Sequence, residues 1–285
     1  MEFERIGVIG GGAMGTGIAE VIARSGISVV VVDVSQEALQ RSRERLRAST
    51  DKAVSRHRMS PEMQDEVFAR VTWTVHMDDL AGCGLVIEAV AEDEAVKSEV
   101  LRRLDEVVGL DVIVATNTSA LSVTRLAATM SRPERFLGLH FFNPAPVRRL
   151  VEVIDAQLTD RAIGDRVQEF VEETLGGKVV RTGDRPGFLV NALLTPYLLS
   201  AIRLLEEGAS SAEEIDMGMV EGCAHPIGPL RLADMVGLDT LVAAAEAMYG
   251  ALREPQYRPP ALLVRMVDAG LCGVKSGRGF FEYAA

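Results

Sequence analysis

The amino-acid sequence predicts an α/β protein: a doubly wound parallel sheet with a helical insert after its second strand, followed by an all-α C-terminal domain. Short β-branched runs alternate with helical stretches as far as Arg181, which is the pattern of a parallel sheet covered by helices. One long charged segment follows the second run. No further β-branched run appears between Pro186 and the end of the chain.

Seven strands are predicted from short apolar runs that end at turn residues. They are Ile6–Gly10, Ser28–Asp33, Leu85–Ala89, Val112–Ala115, Phe136–His140, Val151–Ile154 and Lys178–Arg181. About fifty residues, 35–83, separate the second strand from the third, whereas an ordinary crossover needs about 10 to 20, so we expect a helix-rich insert there. After Pro186 the predicted helices are Phe188–Glu206, a helix opened by the capping box Ser211–Glu214, Thr240–Met248 and Ala261–Ala269.

Length and charge limit the classes of protein to which the chain can belong. Its 285 residues suggest about two domains, which we place at residues 1–186 and 187–285. A net charge of −11 disfavours nucleic acid and anionic membranes as partners. No apolar run is long enough to span a bilayer, the first residues leave no room for a signal peptide, and three scattered cysteines indicate neither a disulfide framework nor a metal site. We therefore expect a cytoplasmic protein without a metal.

The first strand runs into a glycine-rich turn. Gly10, Gly12 and Gly15 form a G-x-G-x-x-G pattern, with Ala13 and Met14 between the last two glycines. This pattern follows an apolar strand and opens a helix, which is the context that a dinucleotide-binding turn requires. Gly10 permits the tight turn, Gly12 lets a pyrophosphate approach the backbone, and Gly15 lets helix and strand pack closely. The turn therefore predicts a Rossmann-type dinucleotide site.

The second strand ends at Asp33, a little over twenty residues after Gly10. A carboxylate at this position accepts hydrogen bonds from the adenosine ribose and repels a 2′-phosphate. Val34 and Ser35 follow it, so no adjacent arginine is available for that phosphate. The sequence therefore favours NAD over NADP.

The insert begins with a basic segment in an otherwise acidic chain. From Arg41 to Arg58 there are seven basic and two acidic side chains, a local charge of +5. On a helix, five side chains share an arc of about 80°: Arg41, Arg45, Ser49, Lys52 and Arg56. Such a face can bind phosphate, and it can equally be a solvated face that balances acids elsewhere.

His140 and Glu152 are the catalytic candidates. His140 ends a predicted strand, at the carboxyl edge where doubly wound sheets bind ligands; a histidine there can also be purely structural. Glu152 lies in an apolar strand, where an acid must be paired. A carboxylate bound to the imidazole would prepare it as a general base. Another strand ends in the polar cluster Thr116–Ser119, which indicates either turn chemistry or a lined pocket.

Five segments together resemble the L-3-hydroxyacyl-CoA dehydrogenase family, in particular its short bacterial 3-hydroxybutyryl-CoA members. They are TNTSAL from Thr116, LGLHFFNPAPV from Leu137, LVEVI from Leu150, PGFLVNALL from Pro186 and HPIGPLRLADMVGLDT from His225. The resemblance runs from the glycine turn to KSGRGF at Lys275.

This resemblance implies roles for particular residues. His140 would be the general base and Glu152 its partner, and Ser119 and Asn191 would bind the substrate oxygen. Beyond Asp33 and the glycine turn with Ala13 and Met14, the implied NAD contacts are Glu92, Lys97, Asn117 and Lys275. The implied coenzyme A contacts are Ser49, Lys52, Arg56 and Ser119.

The resemblance also implies a reaction. A short-chain (3S)-3-hydroxyacyl-CoA, such as 3-hydroxybutyryl-CoA, would be oxidised reversibly by NAD to the 3-ketoacyl-CoA, as in fatty acid β-oxidation. The C-terminal domain would carry part of the substrate cleft and the contact of a homodimer. One alternative is the same chemistry on an acyl carrier protein in polyketide extender-unit biosynthesis. Others are a hydroxy acid without a thioester and a non-catalytic NAD-binding structural protein.

Three departures from the family pattern lie close to the implied site. Ala192 stands where many relatives have arginine. The pair Arg148 and Arg149 stands where others have apolar residues or a single lysine, and Arg56–Arg58 replaces a basic-glycine-lysine run. We expect the last two to alter how a phosphopantetheine arm is held.

Overall fold

The structure, a computed structural model, describes residues 3–283. It divides into two compact units, the first ending at Arg185 and the second beginning at Pro186. The first unit contains the sheet, and the described part of the second is helical apart from two isolated bridges. This arrangement confirms the predicted α/β fold with an all-α C-terminal part.

The first unit is built on an eight-stranded sheet with the order β3-β2-β1-β4-β5-β6-β7-β8. Its strands are β1 Arg5–Ile9, β2 Ser28–Val32, β3 Val71–Thr74, β4 Leu85–Glu88, β5 Ile113–Thr116, β6 Phe136–Phe141, β7 Leu150–Asp155 and β8 Lys178–Gly183. The strand order reverses at β1, which is the kind of switch point at which doubly wound sheets bind ligands.

The sheet differs from the sequence prediction in two places. Strand β3 was not predicted, because its four residues, VTWT, lie at the end of a segment whose charge and helical pattern predict only helix. Their β-branched and aromatic side chains favour a strand, and they pair with β2. In addition, β7 runs antiparallel to β6, because the eight residues 142–149 are too few for the helical crossover that parallel strands need.

Helices cover both faces of this sheet. They are α1 Ala13–Arg24, α2 Gln36–Ser55, α3 Pro61–Arg70, α4 Glu94–Asp105, α5 Val123–Ala127 and α6 Arg161–Glu169. The predicted helical insert is confirmed as α2 and α3, which begin at the hydroxyl caps Ser35 and Ser60. The core of the unit lies between α1 and the sheet, where Ile18 and Ile22 pack with buried strand residues such as Val8.

The second unit contains five α-helices in the residues that the structure describes. They are α7 Val190–Glu206, α8 Ala212–Cys223, α9 Pro229–Val236, α10 Leu238–Leu252 and α11 Ala261–Asp268. Leu198, Leu230 and Leu263 meet in its core. The capping box at the start of α8 is confirmed, since Ser211 and Glu214 each bond the other's backbone.

Within residues 3–283, no single helix combines the length and apolar character that a membrane crossing needs. The bent pair α9 and α10 meets the length and composition criteria only when its two helices are taken together.

The capping box makes a testable contribution to stability. We expect Ser211→Ala to lower the free energy of unfolding by about 1 kcal/mol, because the amide of Glu214 loses its acceptor. Urea denaturation followed by circular dichroism measures this change. Ser200→Ala is the control, since that exposed hydroxyl bonds only a carbonyl of its own helix. Equal stability of the two variants would contradict the prediction.

Candidate active site

The glycine turn joins β1 to α1 with the geometry that a bound pyrophosphate requires. Gly10 has φ +99°, and a Cβ there would lie 2.6 Å from the carbonyl oxygen of Ala89. A Cβ at Gly15 would lie 1.8 Å from the carbonyl oxygen of Gly10. Around Gly12, in contrast, a Cβ would meet nothing within 4 Å. The turn is therefore closed at its first and third glycines and open at the second.

The open position coincides with the start of α1. Gly12 is the N-cap, no side chain caps the helix, and the exposed Ala13 and half-buried Met14 are its first two residues. The first amides of a helix have no partner within the helix, and its dipole favours an anion. The beginning of α1 is thus a fitting site for a pyrophosphate.

Asp33 and Arg45 fasten this turn from the side. The Asp33 carboxylate accepts hydrogen bonds from the amides of Gly11 and Val34, both at 2.7 Å. The guanidinium of Arg45, on α2, donates to the carbonyl oxygen of Gly11 at 3.2 Å. Sequence reasoning missed this second contact, because Arg45 lies twelve residues beyond Asp33 and approaches only when α2 folds back.

The basic side chains of α2 do not form a single phosphate-binding row, because they make different contacts. Arg43 and Arg47 lie over the rings of Trp73 and Phe68, at 5.0 and 4.0 Å from the ring centroids, so they anchor α2 through cation–π contacts. Arg45 belongs to the glycine turn. The helix end, with Lys52 and Arg56, is exposed and remains available to a phosphate.

Ser49 lies further along α2, facing α1. Its hydroxyl lies beside the carboxylate of Glu20, with which Arg24 forms an ion pair. Burial raises the pKa of Glu20, and the contacts with Ser49 and Arg24 oppose that effect. Of the three residues implied in coenzyme A binding, Ser49 is thus the one that lies against α1.

His140 and Glu152 are brought together by the pairing of β6 with β7. The two residues lie directly opposite each other in the antiparallel register, so their side chains share one face of the sheet. Nδ1 of His140 lies 2.7 Å from Oε2 of Glu152. His140 is 6% exposed and Glu152 is completely buried. With Nδ1 engaged by Glu152, Nε2 is the nitrogen that can exchange a proton with a substrate.

Asn117 braces the strand that carries this histidine. It follows β5, and its side-chain oxygen accepts a 2.9 Å hydrogen bond from the amide of Phe141. The ring of Phe142 lies 4.6 Å from the His140 ring, between centroids. These contacts fix the carboxyl end of β6.

A buried ion pair lies behind the neighbouring strand ends. Lys97, with no exposed surface, donates from Nζ to Oε1 of Glu88 at 2.7 Å. The hydroxyl of Thr116 donates to Oε2 of the same carboxylate at 2.6 Å. The resemblance implies that Lys97 contacts NAD, but this structure places its ammonium among carboxylates inside the unit. Glu88, which lies inside the apolar strand β4, was not among the predicted site residues.

Glu92 connects this ion pair to Ser119. Its Oε2 lies 3.5 Å from the ammonium of Lys97. Its Oε1 accepts hydrogen bonds from the Thr118 hydroxyl at 2.7 Å, from the Ser119 amide at 2.7 Å and from the Ser119 hydroxyl at 3.1 Å. Burial alone would raise the pKa of Glu92, but the charge of Lys97 and these hydrogen bonds lower it. A charged Glu92 therefore orients the hydroxyl of Ser119.

Two predicted site residues lie in the second unit. Asn191 is half-buried in the first turn of α7. Lys275 donates to the carboxylate of Asp239 at 2.5 Å, and this contact lowers the pKa of Asp239. Sequence reasoning missed Asp239, whose partner is 36 residues away.

Comparison with known proteins identifies the family of the chain that carries this site. Residues 5–185 match the model of the 3-hydroxyacyl-CoA dehydrogenase NAD binding domain, and residues 187–283 match the C-terminal domain of the same enzymes. The chain belongs to the 3-hydroxyacyl-CoA dehydrogenase family. The predicted resemblance, the predicted class of NAD-dependent oxidoreductase and the predicted cofactor NAD are thereby confirmed.

Individual relatives of this dehydrogenase family are similar over their whole length. A 3-hydroxybutyryl-CoA dehydrogenase of Mycobacterium tuberculosis is 49% identical over 281 residues, which are 98% of each chain. The crystal structure of M. tuberculosis FadB2 has a TM-score of 0.97, 49% identity and complete coverage of both chains. The (S)-3-hydroxybutyryl-CoA dehydrogenase PaaH1 from Ralstonia eutropha has a TM-score of 0.94 and 41% identity, covering 99% of this chain and 100% of its own.

The residues of this dehydrogenase fit NAD. The open space at Gly12 and the uncapped start of α1 suit the pyrophosphate, and Asp33 stands where a ribose diol is recognised. In residues 3–283 no cluster of three or more His, Cys, Asp or Glu side chains is arranged to hold a metal ion.

The position of Arg45 leads to a prediction about cofactor affinity. We expect Arg45→Gln to weaken NAD binding about threefold to tenfold, because the glycine turn loses a charge-assisted hydrogen bond. Isothermal titration calorimetry measures the dissociation constant. Arg41→Gln is the matched control, an exposed arginine one turn earlier on the same helix that makes no hydrogen bond to the glycine turn. Unchanged NAD affinity in the Arg45 variant would show that the bond does not hold the turn.

Proposed function

We propose that this dehydrogenase oxidises (3S)-3-hydroxybutyryl-CoA, or a similarly short (3S)-3-hydroxyacyl-CoA, to the 3-ketoacyl-CoA with NAD, and that the reaction is reversible. The observation that carries the proposal is the buried pair of His140 and Glu152 at the carboxyl end of β6. The names of the M. tuberculosis and R. eutropha relatives support the choice of a four-carbon acyl group.

The chemistry follows from how the imidazole is held. Bound NAD supplies the acceptor for the hydride from C3 of the substrate. Nε2 of His140 takes the proton of the C3 hydroxyl as the carbonyl forms, and Glu152 stabilises the resulting imidazolium through Nδ1. In the reverse direction the protonated His140 gives this proton to the developing alkoxide.

Two further groups are proposed to bind the substrate oxygen. The hydroxyl of Ser119, oriented by the charged Glu92, and the amide of Asn191 are both hydrogen-bond donors that can stabilise negative charge on that oxygen. Lys97 is proposed to act on the site through Glu92, since its side chain is buried.

We propose that the coenzyme A moiety, the carrier group or handle of the acyl chain, lies along the exposed end of α2. Lys52 and Arg56 carry its positive charge, and Ser49 adds a hydroxyl. The second proposed handle, an acyl carrier protein, is favoured by Arg148 and Arg149, two exposed positive charges shortly after His140.

We also propose a cytoplasmic homodimer formed through the second unit. That unit exposes large apolar side chains such as Leu193, Met217 and Met235, each at 59% or more. Exposed apolar groups of this kind mark protein interfaces when they are contiguous.

Removal of the imidazole tests the proposed reaction. We expect His140→Ala to lower kcat by about two to four orders of magnitude in either direction with NAD binding preserved, because the group that exchanges a proton with the substrate oxygen is lost. Reduction of acetoacetyl-CoA by NADH, followed at the nicotinamide absorbance, measures kcat. His76→Ala, at an exposed site, is the control. Wild-type turnover in the His140 variant would remove this residue from the mechanism.

The handle is tested by comparing two forms of the same acyl group. We expect kcat/KM on acetoacetyl-CoA to equal or exceed that on acetoacetyl acyl carrier protein, because the exposed charges of α2 suit a small polyanion. A preference for the carrier-bound substrate by orders of magnitude would instead identify acyl carrier protein as the partner.

A further inference from the structure

Gly11, in the middle of the glycine turn, is held through both of its backbone polar groups. Its amide donates to the carboxylate of Asp33 at 2.7 Å. Its carbonyl oxygen accepts hydrogen bonds from the hydroxyl of Thr16 at 3.0 Å and from the guanidinium of Arg45 at 3.2 Å. Side chains outside the turn therefore set the orientation of this residue.

The direction of the Gly11 carbonyl also sets the direction of the next amide. In a planar trans peptide the C=O and N–H groups of one unit point in opposite directions. The Gly11 carbonyl points towards the buried Thr16, so the N–H of Gly12 points outwards. Gly12 is itself exposed, and it is the N-cap of α1, whose first amides face an anion. The bond from Thr16 thus aims an amide at the pyrophosphate site.

The hydroxyl of Thr16 is one link in a chain of hydrogen bonds that begins at the edge of the sheet. It lies 3.0 Å from the hydroxyl of Ser42, on α2, and both residues are buried. Nε1 of Trp73, on β3, donates to the hydroxyl of Ser42 at 3.3 Å. An indole N–H can only donate and a carbonyl oxygen can only accept. The chain therefore has a single direction, from the indole through the two hydroxyls to the carbonyl oxygen.

Ser42 also packs directly against the glycine turn. A Cβ at Gly11 would lie 2.8 Å from Cβ of Ser42 and 3.1 Å from its Oγ. The small size of both residues thus lets α2 approach closely enough for the chain of hydrogen bonds to form. Arg45 lies one helical turn after Ser42 and bonds the same glycine. The helix α2 is therefore fastened to the turn at two successive positions.

We propose that Ser42 and Thr16 are positioning residues for NAD, and that with the indole of Trp73 they aim the amide of Gly12 at the pyrophosphate. Both hydroxyls are buried, so they act through the backbone of the turn. A contact with the pyrophosphate does not change as the hydride moves, so the effect is on NAD affinity and not on kcat. The inference is independent of which hydroxyacyl substrate this dehydrogenase uses.

Isothermal titration calorimetry with NADH, without an acyl substrate, tests the proposal. We expect Ser42→Ala to raise the Kd of NADH about threefold to tenfold, because Thr16 loses its donor and the Gly11 carbonyl is held less firmly. Reduction of acetoacetyl-CoA should show the same rise in KM for NADH at unchanged kcat. Thr50→Val is the matched control, since it removes another buried hydroxyl of α2, one that accepts from Gln64.

Two exchanges at Thr16 separate the hydroxyl from the packing of the side chain. Thr16→Val keeps the shape and removes the hydroxyl, so we expect the Kd of NADH to rise as it does in Ser42→Ala. Thr16→Ser keeps the hydroxyl that donates to Gly11, so its Kd should stay within about twofold of the wild-type value.

A double variant tests the order of the chain. Trp73→Phe removes the N–H donor and keeps an aromatic ring, and we expect it to raise the Kd of NADH about twofold to fourfold. Because the indole acts through Ser42, the double variant Ser42→Ala/Trp73→Phe should bind NADH no more weakly than Ser42→Ala alone.

The proposal is overturned if Ser42→Ala binds NADH as tightly as the wild type, if Thr50→Val weakens binding equally, or if Thr16→Val and Thr16→Ser have the same Kd. Additive effects of Ser42→Ala and Trp73→Phe would overturn the role of the indole. Circular dichroism confirms that each variant is folded, and the pair of Thr16 variants decides the question if Ser42→Ala is not. A wild-type enzyme that binds NADH but does not reduce acetoacetyl-CoA would refute the proposed reaction and leave these binding comparisons intact.

Discussion

The short connection between β6 and β7 is the constraint on which the candidate active site depends. Residues 142–149 cannot make a helical crossover, so the chain turns back and β7 pairs antiparallel with β6. That register sets His140 directly opposite Glu152. A completely buried carboxylate is tolerated there because the imidazole meets it at 2.7 Å. The same contact holds the ring in one orientation, which the proposed role of His140 as general base requires.

A second buried charge network organises the strand ends beside this pair. Glu88 is the last residue of β4, and its carboxylate accepts hydrogen bonds from the ammonium of Lys97 and the hydroxyl of Thr116. One carboxylate thereby links β4, α4 and β5. Breaking such a pair would leave an uncompensated charge inside the protein, at a cost of several kcal/mol. Because Lys97 also faces Glu92, the network reaches the surface at Ser119. The buried side chains that pair with one another therefore also orient the hydroxyl of Ser119 at the candidate site.

The basic residues of the first unit perform separate tasks although they are close in sequence. Arg43 and Arg47 pack on aromatic rings, Arg45 bonds the glycine turn, and Lys52 and Arg56 stay exposed. Residues at different positions on α2 contact different neighbours, because this helix lies against α1, α3 and the glycine turn at once. Net charge and local charge thus describe different properties. The net charge affects solubility and nonspecific association, whereas the local charge affects which ligand can bind nearby.

The sequence by itself determined the fold class, the glycine turn, most strands and the capped helices, because these depend on local pattern: β-branched runs, helical spacing, glycines at fixed offsets and hydroxyl caps. It also singled out His140 and Glu152, since a strand-end histidine and an acid in an apolar strand are unusual. Only the tertiary structure decided that the two meet, that Lys97 is buried, that Arg45 serves the glycine turn and that the indole of Trp73 bonds Ser42. These facts depend on contacts between residues far apart in the chain, and such contacts arise from strand register and helix packing, which local sequence does not encode.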